Sequence, residues 1–306
     1  MRSYIFIGGA KRGYELIKNL IENYNPPSFA FVQKEDNHEE ADFSSLIENL
    51  TGTEGNCKIT KKLSEEDYKL ISSSNYDFCV VCGWRTIIKL DKISTYFKYG
   101  VLAAHDSLLP LYRGFAPTNW AIINGEKYCG VSIFKINDGE VDSGEIYSQK
   151  SVLIEDDDDI NSVMVKVTQA TVDGYHDIFD NIECIEPVHQ NDELATYTCK
   201  RCPDDGEINW DKSSVEVYNL IRALIPPYPA SYTYFSGDKL FVNSAKIGVF
   251  NDRVFVGRIP GKVISINENG IEVMCGKGTV LISEVIYKGE KMLPNKIVKS
   301  ITHTFK

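Results

Sequence analysis

Apolar residues gather in short runs from the start of the chain. Tyr4 to Gly8 (YIFIG) is one such run, closed by glycine, and Leu16, Ile17, Leu20 and Ile21 follow at the spacing of one helix face. Phe29 to Gln33 (FAFVQ) is the next run, so the chain opens β-α-β, the start of a parallel sheet. The polar stretch Lys34 to Glu40 reads as a loop and residues 43–51 as a helix. Ile59 begins a short strand, and Ser64, with Asp67 three residues on, caps a helix from Ser64 to Ser72. Asp77 to Cys82 (DFCVVC) is a continuous buried strand, Ile87 to Phe97 a helical stretch, and Gly100 to Ala104 a strand that runs straight into His105. A helix over Thr118 to Asn124 precedes the strands Gly130 to Ile136 and Ile146 to Leu153. The acidic run Glu155 to Asp159 then complements the dipole of a long helix over Ile160 to Phe179.

The texture changes near Pro187. Residues 187–206 are polar, and a helix over Ser213 to Leu224 leads into Pro226, Pro227 and Pro229. Short alternating segments follow (SYTYF, KLFVNSAKI, RVFVG, GKVISI, GIEVMC, GTVLISEVIY), with Asn269-Gly270 as a hairpin dipeptide. Evenly spaced short strands predict a small barrel. The pattern therefore predicts two domains: residues 1–200, an α/β domain with a mostly parallel, Rossmann-like sheet, and residues 201–306, a smaller β-rich, barrel-like (OB-like) domain. A length of 306 residues suits that division.

Composition adds exclusions. Apolar residues at 43% and charged residues at 25% are globular values. With 33 Lys+Arg against 43 Asp+Glu, the net charge of −10 argues against nonspecific binding to nucleic acid or an anionic membrane. The first apolar run is too short for a signal peptide, and no stretch approaches the ~18 apolar residues of a membrane span, so a cytoplasmic location is expected. The eight cysteines lie mostly in apolar runs, as free thiols do. Cys79 and Cys82 sit three apart in a strand and point to opposite faces, and joining them to Cys199 and Cys202 would need a site shared by two domains, so no metal is expected. Gly8 to Gly13 does not fit G-x-G-x-x-G, and Gln33 stands where an acid would close the second strand. A tight turn accounts for the glycines and NAD binding is unsupported.

His105 sits at the carboxyl end of an apolar strand, the edge at which open α/β sheets bind ligands. Asp138, Gly139, Asp142, Ser143 and Gly144 form a turn-rich loop after a neighbouring strand. A carboxylate there can orient an imidazole and favour its charged form. From the residues alone, a catalytic and a structural His105 both remain open.

The residues His105-Asp-Ser-Leu-Leu-Pro-Leu-Tyr-Arg-Gly-Phe-Ala-Pro, then Gly130-Val131, then Val141-Asp142-Ser143-Gly144 resemble the 10-formyltetrahydrofolate-dependent formyltransferases. The ordered match spans about forty residues of the form N-x-H-x-S-L-L-P-x-Y-R-G-x-x-P followed by an Asp-x-Gly loop. Asp205 to Trp210, Leu220 to Leu224 and Pro227-Tyr228-Pro229 resemble the start of the C-terminal domain in methionyl-tRNA formyltransferases and in the UDP-amino-arabinose formyltransferase. The resemblance implies a folate co-substrate, 10-formyltetrahydrofolate. It implies that the pterin lies near Gly83, Trp84, Arg85, Thr86, Ile87 and Ile88 and near Asn137, Asp138, Gly139, Glu140 and Val141, with Leu108, Leu109 and Pro110 along the wall. The alternative reading makes Trp84 and Ile87 core. The resemblance further implies that His105 manages the proton of an attacking amine and helps stabilise the oxyanion, that Asp142 holds and tunes the ring, and that Ser107 supports it from behind.

The sequence departs from the family form at Ala103, where the family has Asn. Losing such an oxyanion donor costs about 3–4 kcal/mol in comparable sites. Another donor, an inactivating substitution, or a folate-binding protein with little turnover would each account for it. For the acceptor, the acidic chain and the residues Gly83-Trp84-Arg85 favour the amine of a nucleotide-linked amino sugar, with Arg113 shaping its pocket or ion-pairing within its loop. The alternative is methionyl-tRNA. The resemblance to the sugar enzymes makes a homodimer the candidate assembly.

Overall fold

The computed structural model describes residues 1–34, 42–51 and 56–306; of the predicted polar loop, residues 35–40 lie outside the described residues. The chain forms two compact units. One is made of Met1–Pro117, Cys129–Val152 and Met164–Thr198, the other of Thr118–Tyr128, Leu153–Val163 and Cys199–Lys306.

In chain order the elements up to residue 198 are β1 (Tyr4–Gly8), α1 (Ala10–Asn23), β2 (Phe29–Gln33), α2 (Phe43–Thr51), β3 (Cys57–Thr60), α3 (Glu65–Ile71), β4 (Phe78–Cys82), β5 (Val101–His105), β6 (Arg113–Gly114), α4 (Pro117–Ile123), β7 (Tyr128–Lys135), β8 (Ile146–Leu153), α5 (Ile160–Asn181) and β9 (Tyr197–Thr198). Seven strands make one sheet in the order β3-β2-β1-β4-β5-β7-β8. The strands from β3 to β5 are parallel, and β7 runs antiparallel to β5. This is the mostly parallel sheet that the alternation of apolar runs and helix-periodic segments predicts. β1 and β4 are buried along their whole length, as strands covered on both faces must be.

Alternation of side chains splits the core between the two faces. Ile5, Ile7, Phe31, Cys79, Val81, Val101 and Ala103 pack with Leu90, Ile93, Leu109 and Phe134 on one side. On the other, Tyr4 and Phe78 meet Phe179 of α5 edge to face at 5.1 and 5.0 Å. The Ser64 hydroxyl accepts from Asp67 N–H while Asp67 Oδ2 accepts from Ser64 N–H, the reciprocal cap expected for α3. Asp159 Oδ1 accepts from the N–H groups of Asn161 and Ser162, so the last acid of the acidic run caps α5.

The second unit carries α6 (Ser214–Ala223), capped by Ser213, and β10 (Ser231–Phe235), β11 (Asp238–Ile247), β12 (Val263–Asn267), β13 (Gly270–Met274), β14 (Thr279–Tyr287) and β15 (Glu290–Met292). Its antiparallel sheet has the order β10-β11-β14-β13-β12, with β15 beside β14. Within this unit Asn119 donates to the Ala223 carbonyl at 2.8 Å, and Arg222 to the carbonyls of Glu155 and Asp158 at 2.8 Å, which ties the two earlier segments to α6.

Three local expectations are corrected. Ile87 to Phe97 is no α-helix; it holds two 3₁₀ turns, Leu90–Lys92 and Ser94–Tyr96, in which N–H groups bond three residues back (Ile93 to Leu90, Tyr96 to Ile93), with Leu90, Ile93 and Phe97 buried. RVFVG forms no strand, and Val254 and Val256 stand 92% and 98% exposed. The β12–β13 hairpin pairs Asn267 with Gly270, so its two-residue turn is Glu268-Asn269, one position before the expected dipeptide. Among the described residues no helix is long and apolar enough to cross a membrane.

Phe78 is fully buried between two aromatic partners. Phe78→Ala is expected to cost about 3–5 kcal/mol in urea unfolding; a loss below about 1 kcal/mol would contradict this packing.

Candidate active site

The site forms at the carboxyl edge of β5, in the sheet whose strand order reverses between β1 and β4. β1 lies between β2 and β4, and the next strand outward from β4 is β5, so the crevice outside the carboxyl ends of β1 and β4 is a switch point. Gly9 N–H donates to the Cys82 carbonyl at 3.0 Å, and a Cβ on Gly83, which has φ +72°, would sit 2.2 Å from the Gly9 carbonyl oxygen. Only glycine lets the turn after β4 pass the turn after β1 so closely. Gly9, in the glycine cluster read as a tight turn, thus meets Gly83 where two turns cross.

His105 ends β5 with 8% of its surface exposed, its ring meeting the edge of Phe134. Its Nε2 lies 2.9 Å from the Tyr112 carbonyl oxygen, and its Nδ1 lies 3.5 Å from Asp142 Oδ2. A carbonyl only accepts, so Nε2 carries a hydrogen; Nδ1 then faces a carboxylate, which also only accepts. Both neighbours favour the charged ring. Burial opposes them and is the larger effect, so the imidazole binds its proton less readily than an ordinary histidine, with Arg12 pulling the same way. Arg12, in the first turn of α1, is itself ion-paired with Asp106.

Asp142 stands in the left-handed region at φ +54°, a conformation that Asp tolerates better than most residues. Its Oδ2 also accepts from Gly114 N–H at 2.9 Å. A Cβ on Gly144 would fall 1.7 Å from the Lys135 carbonyl oxygen, so the loop presses on the end of β7 and the glycine of Asp-x-Gly is sterically required. Ser107 Oγ donates to the Leu111 carbonyl at 2.6 Å, and Ser132 Oγ donates to the Ser107 carbonyl at 2.7 Å, which fixes the turn that carries Tyr112.

The remaining expected residues fall as follows. Trp84 is half-buried and packs against the sheet-face core, as the alternative reading had it, and its indole Nε1–H is buried without a hydrogen-bond partner. Ile87 is 94% exposed and is not core. Arg85 and Thr86 are exposed, Ile88 is half-buried, and Arg85 N–H donates to Gln33 Oε1 at 3.2 Å. Asn137 to Val141 are exposed, with Asn137 Oδ1 accepting from Gly139 N–H. Leu108 and Pro110 are half-buried, whereas Leu109 packs into the sheet-face core. Ala103 shares the face of His105 two residues earlier, and its methyl joins that same core. Arg113 is fully buried, donating to Gln190, Asp192 and Tyr197 and lying 3.6 Å from Glu140. Burial works against its charge, but the hydrogen bonds to Asp192 and Tyr197 outweigh it and hold the guanidinium above its ordinary range.

Sequence reading missed Gln33, Gln190 and the Tyr112 carbonyl. A main-chain oxygen leaves no trace in residue type. Gln190 lies in a polar stretch whose pattern gives it no more weight than its neighbours. Among the described residues no group of acidic, His or Cys side chains could hold a metal ion.

Over residues 18–178 the chain matches the family described as formyl transferase, and over residues 201–300 the family described as formyl transferase, C-terminal domain. The methionyl-tRNA formyltransferase of Mycoplasma mycoides subsp. mycoides is 30% identical over 302 residues, covering 94% of this chain and 92% of the relative. An N-formyltransferase from Helicobacter canadensis, solved with folinic acid and dTDP-3-aminofucose, superimposes with a TM-score of 0.69 at 18% identity, covering 92% of this chain and 99% of that one. The methionyl-tRNA formyltransferase from Clostridium thermocellum gives 0.60 at 20% identity, over 90% and 100% of the two chains. At these identities the two structural likenesses concern the fold.

The His105 ring is expected to titrate below the ordinary value of 6.5, and in Asp142→Asn lower still, because the carboxylate that favours its charge is gone. Since the folded ring binds its proton less readily than the unfolded one, it withdraws stability as pH falls below about 6.5. Histidine NMR titration checks both; an Asp142→Asn shift to higher pH would contradict the pairing.

Proposed function

The chain belongs to the formyltransferase family, and we propose that it moves the formyl group of 10-formyltetrahydrofolate to the amine of a nucleotide-linked amino sugar, with His105 and Asp142 as the reacting pair. That it is a folate-dependent formyltransferase follows from the family. The observation that carries the residue assignment is the buried imidazole held between Asp142 and the Tyr112 carbonyl at the carboxyl edge of β5.

The residues around that edge suit a flat heterocycle. The unpartnered Trp84 Nε1–H asks for an acceptor, exposed Ile87 and Val141 offer apolar surface, and the loop Asn137 to Val141 offers main-chain groups. When bound, the folate supplies an electrophilic formyl carbon whose oxygen becomes anionic as the amine attacks. His105 and Asp142 then accept, as a unit, the proton that the amine sheds, and return it to N10 as the bond between the formyl carbon and N10 breaks and tetrahydrofolate leaves; Asp142 reduces the cost of charging the buried ring. The Nε2–H that now serves the Tyr112 carbonyl is a donor that an oxyanion can recruit, because the exchange replaces a neutral acceptor with an anionic one. This assigns to His105 the duty that the family gives to the residue at position 103.

Charge supports the sugar. Residues 1–200, which contain the candidate site, carry 19 Lys+Arg against 32 Asp+Glu. A polyphosphate acceptor would approach that region against its field, whereas a nucleotide sugar needs only a local pocket. The second reading, methionyl-tRNA, is favoured by the 30% identity to a relative of that name and by residues 201–306, which carry 14 Lys+Arg against 11 Asp+Glu.

His105→Ala and Asp142→Ala are each expected to abolish release of tetrahydrofolate in the presence of acceptor while leaving the thermal melt intact. Parallel assays with a panel of nucleotide amino sugars and with charged initiator tRNA test the acceptor; formylation of the tRNA alone would overturn the sugar reading. Ala103→Asn is expected to change kcat by less than about tenfold, since the donor is already supplied, and a gain of about 100-fold or more would show a site that lacks one.

A further inference from the structure

The carboxylate of Asp142 is useful only if its backbone stays where it is, and that backbone is in an unfavourable region, on an exposed loop, at φ +54°. What holds it is Gln190. Its Nε2 donates to the carbonyls of Asp142 and Gly144, both at 2.7 Å, so one side-chain amide clamps the turn on either side of Ser143. Its Oε1 accepts from Arg113 Nε at 3.1 Å and Nη2 at 2.8 Å. A guanidinium has only donors, so Arg113 forces the amide oxygen toward itself and the NH₂ toward the two carbonyls. A flipped amide would set donors against donors and acceptors against acceptors.

Arg113 is suited to that task. It is fully buried and fixed by Asp192 at 2.6 Å and by Tyr197 OH at 3.3 Å, and Tyr197 OH in turn donates to Glu140 at 2.8 Å. The next residue, Gly114, gives its N–H to Asp142 Oδ2. Two consecutive residues of β6 therefore fix Asp142 from two directions, the carboxylate directly and the main chain through Gln190.

We infer that Gln190 is a positioning residue for Asp142, oriented by the buried Arg113 guanidinium, and that Arg113 contributes through this clamp. The inference rests on the reading of His105 and Asp142 as the reacting pair. It differs from the expectation that Arg113 shapes an acceptor pocket, because its donors are already engaged within the fold.

The test uses Gln190→Leu and Gln190→Glu in the full chain. Gln190→Glu has the same shape and keeps the acceptor for Arg113, but it turns an oxygen against the Asp142 and Gly144 carbonyls. In both variants kcat is expected to fall roughly 10- to 100-fold while the KM for the formyl donor moves less than about threefold. The groups facing His105 are Asp142, Arg12 and the Tyr112 carbonyl, so loosening Asp142 moves the His105 NMR titration to lower pH, in the direction of Asp142→Asn. In an Asp142→Asn background, Gln190→Glu should add less than about twofold, because both changes act on one element. A folded Gln190→Glu with wild-type kcat and His105 titration overturns the inference, as do effects that multiply in the double variant. If Asp142→Asn alone leaves both readouts unchanged, the underlying reading of the pair has failed, a result separate from failure of the clamp.

Discussion

The account depends on one balance: a histidine removed from water yet faced on both ring nitrogens by acceptors. Burial disfavours the imidazolium; Asp142 at 3.5 Å and the Tyr112 carbonyl at 2.9 Å favour it. A ring held in that balance changes its protonation for a small additional charge nearby, which is what an acyl transfer to an amine brings. Were His105 exposed, solvent would screen the carboxylate and the pair would lose most of its coupling. Were it buried without acceptors, it would stay neutral throughout.

The fold supplies the balance from parts with little tolerance. β5 delivers the ring at the sheet's carboxyl edge, and Phe134 of the antiparallel β7 closes on its side. The Ser107 and Ser132 bonds fix the turn that brings the Tyr112 carbonyl back to Nε2. The Asp142 loop is pressed on the Lys135 carbonyl, so its glycine is a steric need. The loop Asn137 to Val141 is exposed, whereas His105, Ser107 and Arg113 are buried and tied down from behind.

Much of this was legible in the sequence, and the reasons for the rest are physical. The parallel strands read clearly because burial on both faces leaves continuous apolar runs, as in DFCVVC. The cap of α3 read clearly because Ser64 and Asp67 carry their chemistry in the residue type, and the caps by Asp159 and Ser213 came from the structure. Ile87 to Phe97 read as a helix because Leu90, Ile93 and Phe97 keep the i, i+3, i+7 spacing of a helix face, while the backbone bonds three residues back in two 3₁₀ turns. RVFVG alternates like a strand, but alternation is only a propensity and no neighbouring strand pairs with it. His105 and Asp142, singled out by position and motif, lie 3.5 Å apart, and Arg113 was singled out by the same motif. The engagement of Arg113 was not, because its partners Gln190, Asp192 and Tyr197 lie some eighty residues downstream, where local pattern carries no information about contact.

The most direct measurement of the central claim is the pH dependence of single-turnover formyl transfer at saturating folate donor, for the wild type and Asp142→Asn. The account predicts an acid limb below the ordinary histidine value of 6.5, displaced to still lower pH and with a reduced plateau when the carboxylate is replaced. A profile without a limb in that range, or one that Asp142→Asn leaves in place at full rate, would contradict it.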